Sequence, residues 1–215
     1  MATQPEITSV SGFWRSFRRN RMGVVGLIML LLAIGMAVFA PVLAPYNPDA
    51  PVRVTIDDIY APPSREHLLG TDDAGKDELS LFIYGSRVSL TVGFFAAFIS
   101  VAIGGWIGIT AGFWGGKVET GLMRFTDIML VIPDLPLAVV IVALTQPSLW
   151  NIIFVIGILG WTSTARLVRS QTLSVRERKF VLRARAIGAG NGYIVRRHIL
   201  PLVLPLMVAN TVLVI

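Results

Sequence analysis

The chain has 215 residues, of which 54% are hydrophobic and only 15% are charged, and its formal net charge is +6. Soluble domains carry about 25% charged residues, so the composition excludes an ordinary water-soluble globular domain. The absence of cysteine excludes disulfides and thiolate metal sites, and the wide separation of His67 from His198 argues against a zinc centre.

Four long stretches without Asp, Glu, Lys or Arg define the predicted membrane spans. They cover residues 22–48, 88–116, 135–165 and 199–215. A helix of about 20 apolar residues crosses the hydrocarbon core, because in lipid every backbone polar group must bond within its own segment. The sequence therefore predicts an all-α, multi-pass membrane protein.

The first predicted elements are an N-terminal segment over 1–22 and a membrane helix, TM1, over 23–43. The segment contains FWRSFRRNR at 13–21, a mixture of aromatic and basic residues that suits a short helix on an anionic membrane leaflet. A cleaved signal peptide is the competing interpretation. However, the apolar run is too long for one, and prolines follow it in place of a cleavage site. We therefore expect an uncleaved first span.

A loop over 44–87 and two further spans follow, TM2 over 88–112 and TM3 over 122–144. Within TM2, Gly104 and Gly108 form a GxxxG pair, which allows close approach between membrane helices. The pair is compatible either with general small-residue packing or with a specific dimer face.

The last predicted elements are TM4 over 151–168, a basic segment over 169–200 and the start of TM5 over 202–215. The 44–87 loop has eight acidic residues against four basic ones, whereas residues 166–198 have nine basic residues and one acid. Because cytoplasmic loops carry the excess of Lys and Arg, we assign the N-terminus and the 169–200 segment to the cytoplasm and the acidic loop to the outside. This alternation also argues against nucleic acid as a partner.

The acidic loop contains the spacing of a phosphate-binding P-loop. Gly70, four residues and Gly75-Lys76 match that motif, but Asp77 stands where Ser or Thr would hold Mg²⁺. The neighbouring carboxylates would repel phosphates. We interpret the spacing as coincidental and expect no ATP site or other cofactor in this chain.

Two acidic residues fall within TM3. Asp134 lies between Pro133 and Pro136, where a carboxylate is costly unless it faces water or a partner. It is a candidate for the wall of a translocation path, or it bonds backbone groups freed by the prolines. Asp127 lies three residues after Arg124, a spacing that favours a local ion pair.

The basic segment includes FVLRARAIGAGNGYIVRRHILP at 180–201, which predicts a short helix, a glycine-rich break and a second helix entering the membrane. Such a pair is suited to docking in a partner's groove. The pattern resembles the EAA loop of ABC importer permeases. Ala184, Gly188, Leu200 and Pro201 match that loop in spacing, while Leu182 replaces its Glu and Arg183 replaces its first Ala.

Three other segments resemble the dipeptide and oligopeptide branch of these permeases. They are FAPVLAPYNP at 39–48, HLLGTDDAGKDELSLFIYGSRVSL at 67–90 and AGFWGGKVETGLMRFTDIML at 111–130. The chain is identified as a member of that branch by these segments, which agree in order and spacing.

The resemblance implies a type I ABC importer transmembrane domain of six helices, of which this chain contains at least five, in the bacterial inner membrane. It implies a peptide substrate, a second homologous permease subunit, two ABC ATPases that hold ATP and Mg²⁺, and an extracytoplasmic binding protein. By resemblance, the residues that couple to the ATPases are Phe180, Arg183, Ala184, Arg185, Ala186, Gly188 and Gly190. Those at the exit of the coupling loop are His198, Leu200 and Pro201.

Other functions stay open at this point. The same branch includes importers of nickel or glutathione, and a non-transporting assembly subunit is compatible with a chain that lacks its last helix. A secondary transporter would need internal repeats and an ion site, and a membrane enzyme would need convergent catalytic groups. Neither feature is visible in the sequence.

Overall fold

A computed structural model describes residues 10–48, 50, 55 and 58–214, without the side chains of residues 10–13, 15 and 211–214. All regular elements in these residues are helices, and an isolated antiparallel bridge joins Thr71 to Asp77. This confirms the all-α prediction. The chain divides into two compact units, residues 1–90 and 91–215.

The first unit begins with helices α1 (Val10–Arg19), α2 (Arg21–Val38) and α3 (Ala40–Leu43). Asn20 separates the first two, and its side chain accepts a hydrogen bond from the Gly23 amide at 3.2 Å, which caps α2. The 18 residues of α2 extend over about 27 Å, close to the thickness of the hydrocarbon core. Because α2 ends at Val38 and α3 begins at Ala40, the apolar run predicted as one helix over 23–43 is interrupted at Phe39.

The acidic loop is folded by hydrogen bonds that involve the residues of the P-loop-like spacing. Gly70 and Gly75 have positive φ angles of 84° and 69°, which glycine adopts without strain. Lys76 donates from Nζ to the carbonyl oxygen of Pro48 at 2.8 Å. The carboxylate of Asp77 accepts hydrogen bonds from the Ser80 amide at 2.8 Å and the Ser80 hydroxyl at 2.7 Å. Here these residues fold the loop and start the next helix.

Helix α4 (Glu78–Trp114) has 37 residues and a length of about 55 Å. It begins ten residues before the predicted start of TM2, because Asp77 caps it and no proline interrupts the residues that follow. Its residues up to Leu90 belong to the first unit and the remainder to the second.

The spans predicted over 122–144 and 151–168 are each formed by two helices in the structure. Helices α5 (Gly116–Val131) and α6 (Asp134–Leu144) meet at an angle of 79°, and α7 (Leu149–Leu159) and α8 (Trp161–Arg176) at 40°. Pro133 explains the first bend, because it forces the preceding residue out of the helical region. Gly160 lies at the second bend.

The second unit continues with α9 (Lys179–Ala186), α10 (Asn191–Ile194), a π-helical turn (Val195–Ile199) and α11 (Leu200–Val214). Helix α11 thus begins two residues before the predicted start of TM5. Among the described residues, three helices are long and apolar enough to cross a membrane, or up to five spans if each bent pair counts as one.

Close contact between α4 and α8 gives the glycine pair of TM2 a specific partner within the same chain. A Cβ atom on Gly104 would lie 2.5 Å from the carbonyl oxygen of Trp161, and one on Gly108 would lie 2.5 Å from that of Ala165. Next to this contact lies an apolar core built from α4, α8, α9, α10, the π-helical turn and α11. Its buried members are Ile109, Phe113, Val168, Val175, Val181, Ala184, Ile194, Ile199, Val203 and Met207.

Candidate functional site

Helix α9 has one face in the apolar core and another that is exposed. Val181 and Ala184 are buried, three residues apart, as expected for one side of a helix. Other residues of the helix are exposed, and so is the residue that follows it. They include Leu182, Arg183, Arg185, Ala186 and Ile187. Such a helix is held firmly while offering a basic and partly apolar face to another molecule.

The helix ends in an open turn formed by two of the predicted coupling residues. Gly188 has a φ angle of +85°, and Gly190 is the residue that precedes α10. A Cβ atom on either glycine would meet no atom within 4 Å. The left-handed conformation at Gly188 explains the need for glycine there, because other residues rarely adopt it.

Arg185 contacts α4 within the chain. Its guanidinium carbon lies 5.8 Å from the ring centre of Phe113, a cation–π arrangement. The ring is only 4% exposed and belongs to the same core cluster as Val181 and Ala184. Helix α9 therefore reaches the end of α4 through one aromatic side chain.

Arg176 ties α8 to the same end of α4, a contact that the sequence reasoning missed. Its Nη1 atom donates to the carbonyl oxygens of Gly112 at 3.0 Å and Phe113 at 3.3 Å. These belong to the last carbonyls of α4, which have no partner within the helix. A basic residue distant in sequence gives no local sign of this role. The only signal in the sequence is Gly115 and Gly116, the two glycines directly after the last residue of α4.

His198 connects the exit of the loop to the start of α9. Its ring centre lies 5.9 Å from that of Phe180 and 5.7 Å from that of Tyr193. Leu200 follows the π-helical turn and donates its amide to the carbonyl oxygen of Val195. Pro201 lies in the first turn of α11, directly after the π-helical turn, and has no N–H with which to bond a carbonyl oxygen of that turn. The structure thus brings Phe180 and His198 together, while Arg185 contacts Phe113 of the core.

The prediction of an ion pair between Asp127 and Arg124 is wrong. Asp127 accepts a hydrogen bond from Nη2 of Arg166 on α8 at 2.5 Å. A second pair joins Arg169 of α8 to Glu119 of α5, with Nε to Oε1 at 2.7 Å. The sequence spacing favoured the local partner, whereas the packing of α5 beside α8 provides a better placed cation.

Asp134 lies apart from the coupling residues, in the first turn of α6 after the bend. The helix has no buried residue, and among the described residues no hydrogen bond or ion pair involves the Asp134 carboxylate. The structure neither joins it to the other candidate residues nor supplies the backbone partner considered as an alternative.

Two family models match the chain. One, described as binding-protein-dependent transport system inner membrane component, covers residues 104–215, which run from the glycines of α4 through the end of the chain. The other, described as the N-terminal TM domain of oligopeptide transport permease C, covers residues 10–63. Together they include every residue of the candidate site.

Curated relatives resemble the chain over most of its length. A dipeptide transport system permease protein, DppC, from Alkalihalophilus pseudofirmus is 38% identical over 92% of the chain and 65% of its own length. The oligopeptide transport system permease protein OppC of Bacillus subtilis is 35% identical over 86% of the chain and 60% of its own length. A glutathione transport system permease protein, GsiD, from Escherichia coli is 38% identical, with 88% and 62% covered. The chain thus spans less than two thirds of the length of these relatives.

Proposed function

Because the chain belongs to the binding-protein-dependent transport system inner membrane component family, we propose that it is a permease subunit of an ATP-driven importer of dipeptides or oligopeptides. The apolar helices make it a multi-pass membrane protein. In the proposed complex it forms half of the translocation path, beside a second homologous permease subunit. An extracytoplasmic binding protein delivers the peptide, and two separate ATPase subunits hold ATP and Mg²⁺.

The observation that carries this proposal is the way in which α9 packs against the rest of the chain. One face of the helix lies in the apolar core, while the other face is exposed and carries Arg183, with Arg185 at its edge beside Phe113. A helix that only connected two spans would need neither the buried anchor nor the exposed apolar side chain of Ile187. This arrangement suits a helix in a partner's groove, which for this family's function is the groove of an ATPase.

The proposed mechanism converts closure of the ATPases into movement of the membrane helices. Closure displaces α9 as a rigid element, and the buried contacts of Val181 and Phe113 transmit the displacement to α8 and α4. Packed cores shift between discrete arrangements rather than deforming continuously, so the bundle rocks between outward-open and inward-open states. The chain itself hydrolyses nothing in this scheme.

The orientation follows from the charge distribution and is part of the proposal. The N-terminus and the 169–200 segment lie in the cytoplasm, and the acidic loop over 44–87 lies outside, where it meets the binding protein. This places α9 on the side where ATP is available.

The proposal is tested with the complete transporter in proteoliposomes. We expect ATP hydrolysis to increase when a peptide-loaded binding protein is added, and labelled dipeptide to accumulate only when ATP is present. Unloaded binding protein is the control. If peptide accumulates without ATP, or if the chain does not co-purify with the ATPases, the proposed function is incorrect.

A second candidate substrate is glutathione, because one group of relatives carries that name at the same 38% identity as a dipeptide permease. Both substrates are peptides with free charged termini, so the permease chemistry differs little. Uptake of labelled dipeptide in competition with unlabelled glutathione distinguishes them. If the dipeptide is the substrate, a low concentration of glutathione leaves the uptake of dipeptide unchanged. If glutathione is the substrate, the same low concentration reduces it.

A further inference from the structure

An open cleft with two ion pairs lies between α5 and α8. Its volume is about 420 Å³, and it is lined by Glu119, Thr120, Met123, Asp127, Arg166 and Arg169. Because Arg and carboxylate side chains are expensive in a membrane, such a cluster marks a functional region. The candidate coupling residues lie elsewhere, so they do not account for it.

The outer pair, Asp127 and Arg166, lies beside the charge-free part of α4. Arg166 directly follows Ala165, whose carbonyl oxygen would lie 2.5 Å from a Cβ atom on Gly108 of α4. Gly108 lies six residues before Trp114 at the end of α4, or about 9 Å along the helix axis. The pair is therefore level with a segment that has no charge over residues 88–116 and that we expect to lie in the membrane.

The two pairs differ in exposure. The side chains of Arg166 and Asp127 are 52% and 54% exposed, and their contact uses one nitrogen and one oxygen. In the inner pair, Arg169 and Glu119 are 34% and 21% exposed, and both Nε and Nη2 of the arginine reach the same carboxylate oxygen. The inner pair ties the helices together, whereas the outer pair retains free donors and acceptors.

We infer that the cleft is water-filled and forms part of the translocation path, where Asp127 and Arg166 receive the charged ends of a zwitterionic peptide. Exposed charges at this depth need water, because contact with lipid is costly. An ion pair that is open to water is weakly held and can exchange partners. Asp127 then accepts hydrogen bonds from the peptide ammonium group. Arg166 donates hydrogen bonds to the carboxylate of the peptide, for which the guanidinium geometry is well suited. This inference rests on the proposed peptide import.

Cysteine accessibility tests whether the cleft holds water, and the chain has no cysteine of its own. Met123→Cys in the cleft is compared with Ile128→Cys, which is exposed on another face of the same helix. In unsealed membranes that contain the assembled transporter, we expect a charged methanethiosulfonate reagent to label Met123→Cys at least tenfold faster. No labelling of Met123→Cys would show that lipid or the second subunit covers the cleft, and labelling no faster than that of Ile128→Cys would show that the cleft is not distinguished by its water; either result would overturn the inference.

Substitutions of the two pairs test contact with the peptide. We expect Asp127→Asn and Arg166→Gln to lower peptide uptake at least tenfold at saturating loaded binding protein, while basal ATP hydrolysis and the yield of complex stay the same. Asp127→Glu should retain most of the uptake, because it keeps the charge. In contrast, Glu119→Gln and Arg169→Gln, which break the inner pair, should lower the yield of complex.

The outcomes separate this inference from the proposed function. If uptake by both outer-pair variants stays within twofold of wild type, the peptide does not bind to this pair in the cleft. If the yield of complex falls in proportion to uptake, the pair has only a structural role. A wild-type transporter without ATP-driven peptide uptake would instead contradict the proposed function. The labelling comparison does not depend on transport and would still report on the cleft.

Discussion

Asp77 joins the acidic loop to the start of α4. Its side chain is only 1% exposed, and its Oδ1 atom lies 3.0 Å from Nδ1 of His67. Burial raises the pKa of the carboxyl group, but the hydrogen bonds from Ser80 and His67 outweigh that effect and bring the pKa below its usual value. The ionised carboxylate therefore stabilises the folded loop.

The pH dependence of this contribution follows from the direction of the pKa shift. Since the folded pKa lies below the unfolded value of about 3.9, the stabilisation is complete above that value and is lost as the pH falls through the folded pKa. We expect hydrogen exchange of the amides over 58–80 to be unchanged between pH 7 and 5, after correction for intrinsic rates, and to accelerate below about pH 4. A change centred near neutral pH would point to another group.

Replacement of the same carboxylate gives a second test. Hydrogen bonds to a charged group contribute about 1.5–3 kcal/mol. We expect Asp77→Asn to accelerate exchange of the 58–80 amides by about tenfold or more, since about 1.4 kcal/mol corresponds to a factor of ten. The matched control is Asp73→Asn, because Asp73 is exposed in the same loop. Equal effects of the two substitutions would contradict the assigned role of Asp77.

Arg183 and Arg185 are close in sequence but differ in their surroundings, and we expect different effects when each is replaced by Gln. Arg185 contacts Phe113, and a cation–π contact at an exposed site contributes about 0.5–1 kcal/mol. Arg185→Gln should therefore lower the amount of peptide transported per ATP hydrolysed by about two- to fivefold, with the ATPases still bound. Arg183→Gln should weaken binding of the ATPases, measured by co-purification.

Phe113→Leu provides the control for this pair. It removes the aromatic ring but keeps an apolar side chain in the core, so it should reproduce the effect of Arg185→Gln. If Arg185→Gln and Arg183→Gln release the ATPases to the same extent, both arginines face the partner, as the sequence alone suggested, and Phe113 has no part in coupling.

At the scale of helices, hydropathy predicted which segments are helical but not where they bend. The runs over 122–144 and 151–168 are continuously apolar apart from a few residues, so each was predicted as one helix. Pro133 and Gly160 interrupt them, and whether such residues bend a helix depends on the neighbours that replace the lost hydrogen bonds. The partner of Asp127 was missed for a related reason, because spacing along one helix carries no information about α8.

The glycines of α4 are a case in which sequence identified the feature and only the structure could supply its partner. We expect Gly108→Ala to destabilise the protein, because the new Cβ atom would lie 2.5 Å from the carbonyl oxygen of Ala165. Overpacking of this kind costs about 1–3 kcal/mol. The expected result is a lower thermal denaturation midpoint of the detergent-solubilised protein, followed by circular dichroism.

Gly85→Ala on the same helix is the matched control, because a Cβ atom there meets nothing within 4 Å. In a helix interior, Ala is favoured over Gly by about 0.5–1 kcal/mol, so this substitution should leave the midpoint unchanged or raise it. A similar decrease for both variants would mean that the α4–α8 contact tolerates a methyl group.

At the scale of the whole molecule, composition was sufficient for the fold class, and the spacing of four segments was sufficient for the family. These properties are written along the chain, so one sequence reveals them. Other features depend on contacts between residues more than 35 positions apart, as with Arg166 and Asp127. They are the packing of α9 in the core, the contact of Arg176 with α4 and the cleft. Hydrophobic and charge patterns do not determine such contacts.

The orientation predicted from the charge distribution can be measured because the chain has no cysteine. We expect a membrane-impermeant maleimide to label Glu66→Cys in intact cells, since residue 66 is exposed in the acidic loop. Ile187→Cys, at the end of α9, should be labelled only after the membrane is opened and the ATPase subunits have been stripped from it. The reverse result would invert the assigned topology and place α9 away from ATP.

The π-helical turn determines which side chains of the last helical segment face the core. Ile194 and Ile199 are both in the core and lie five residues apart, whereas Ile199, Val203 and Met207 follow at steps of four. An uninterrupted α-helix would turn Arg197 or His198 inward after Ile194. The extra residue is therefore accommodated without turning the helix, so that deletion of one residue within the turn would bring Ile194 four positions before the next core isoleucine and leave an ordinary α-helix with the same faces in the core.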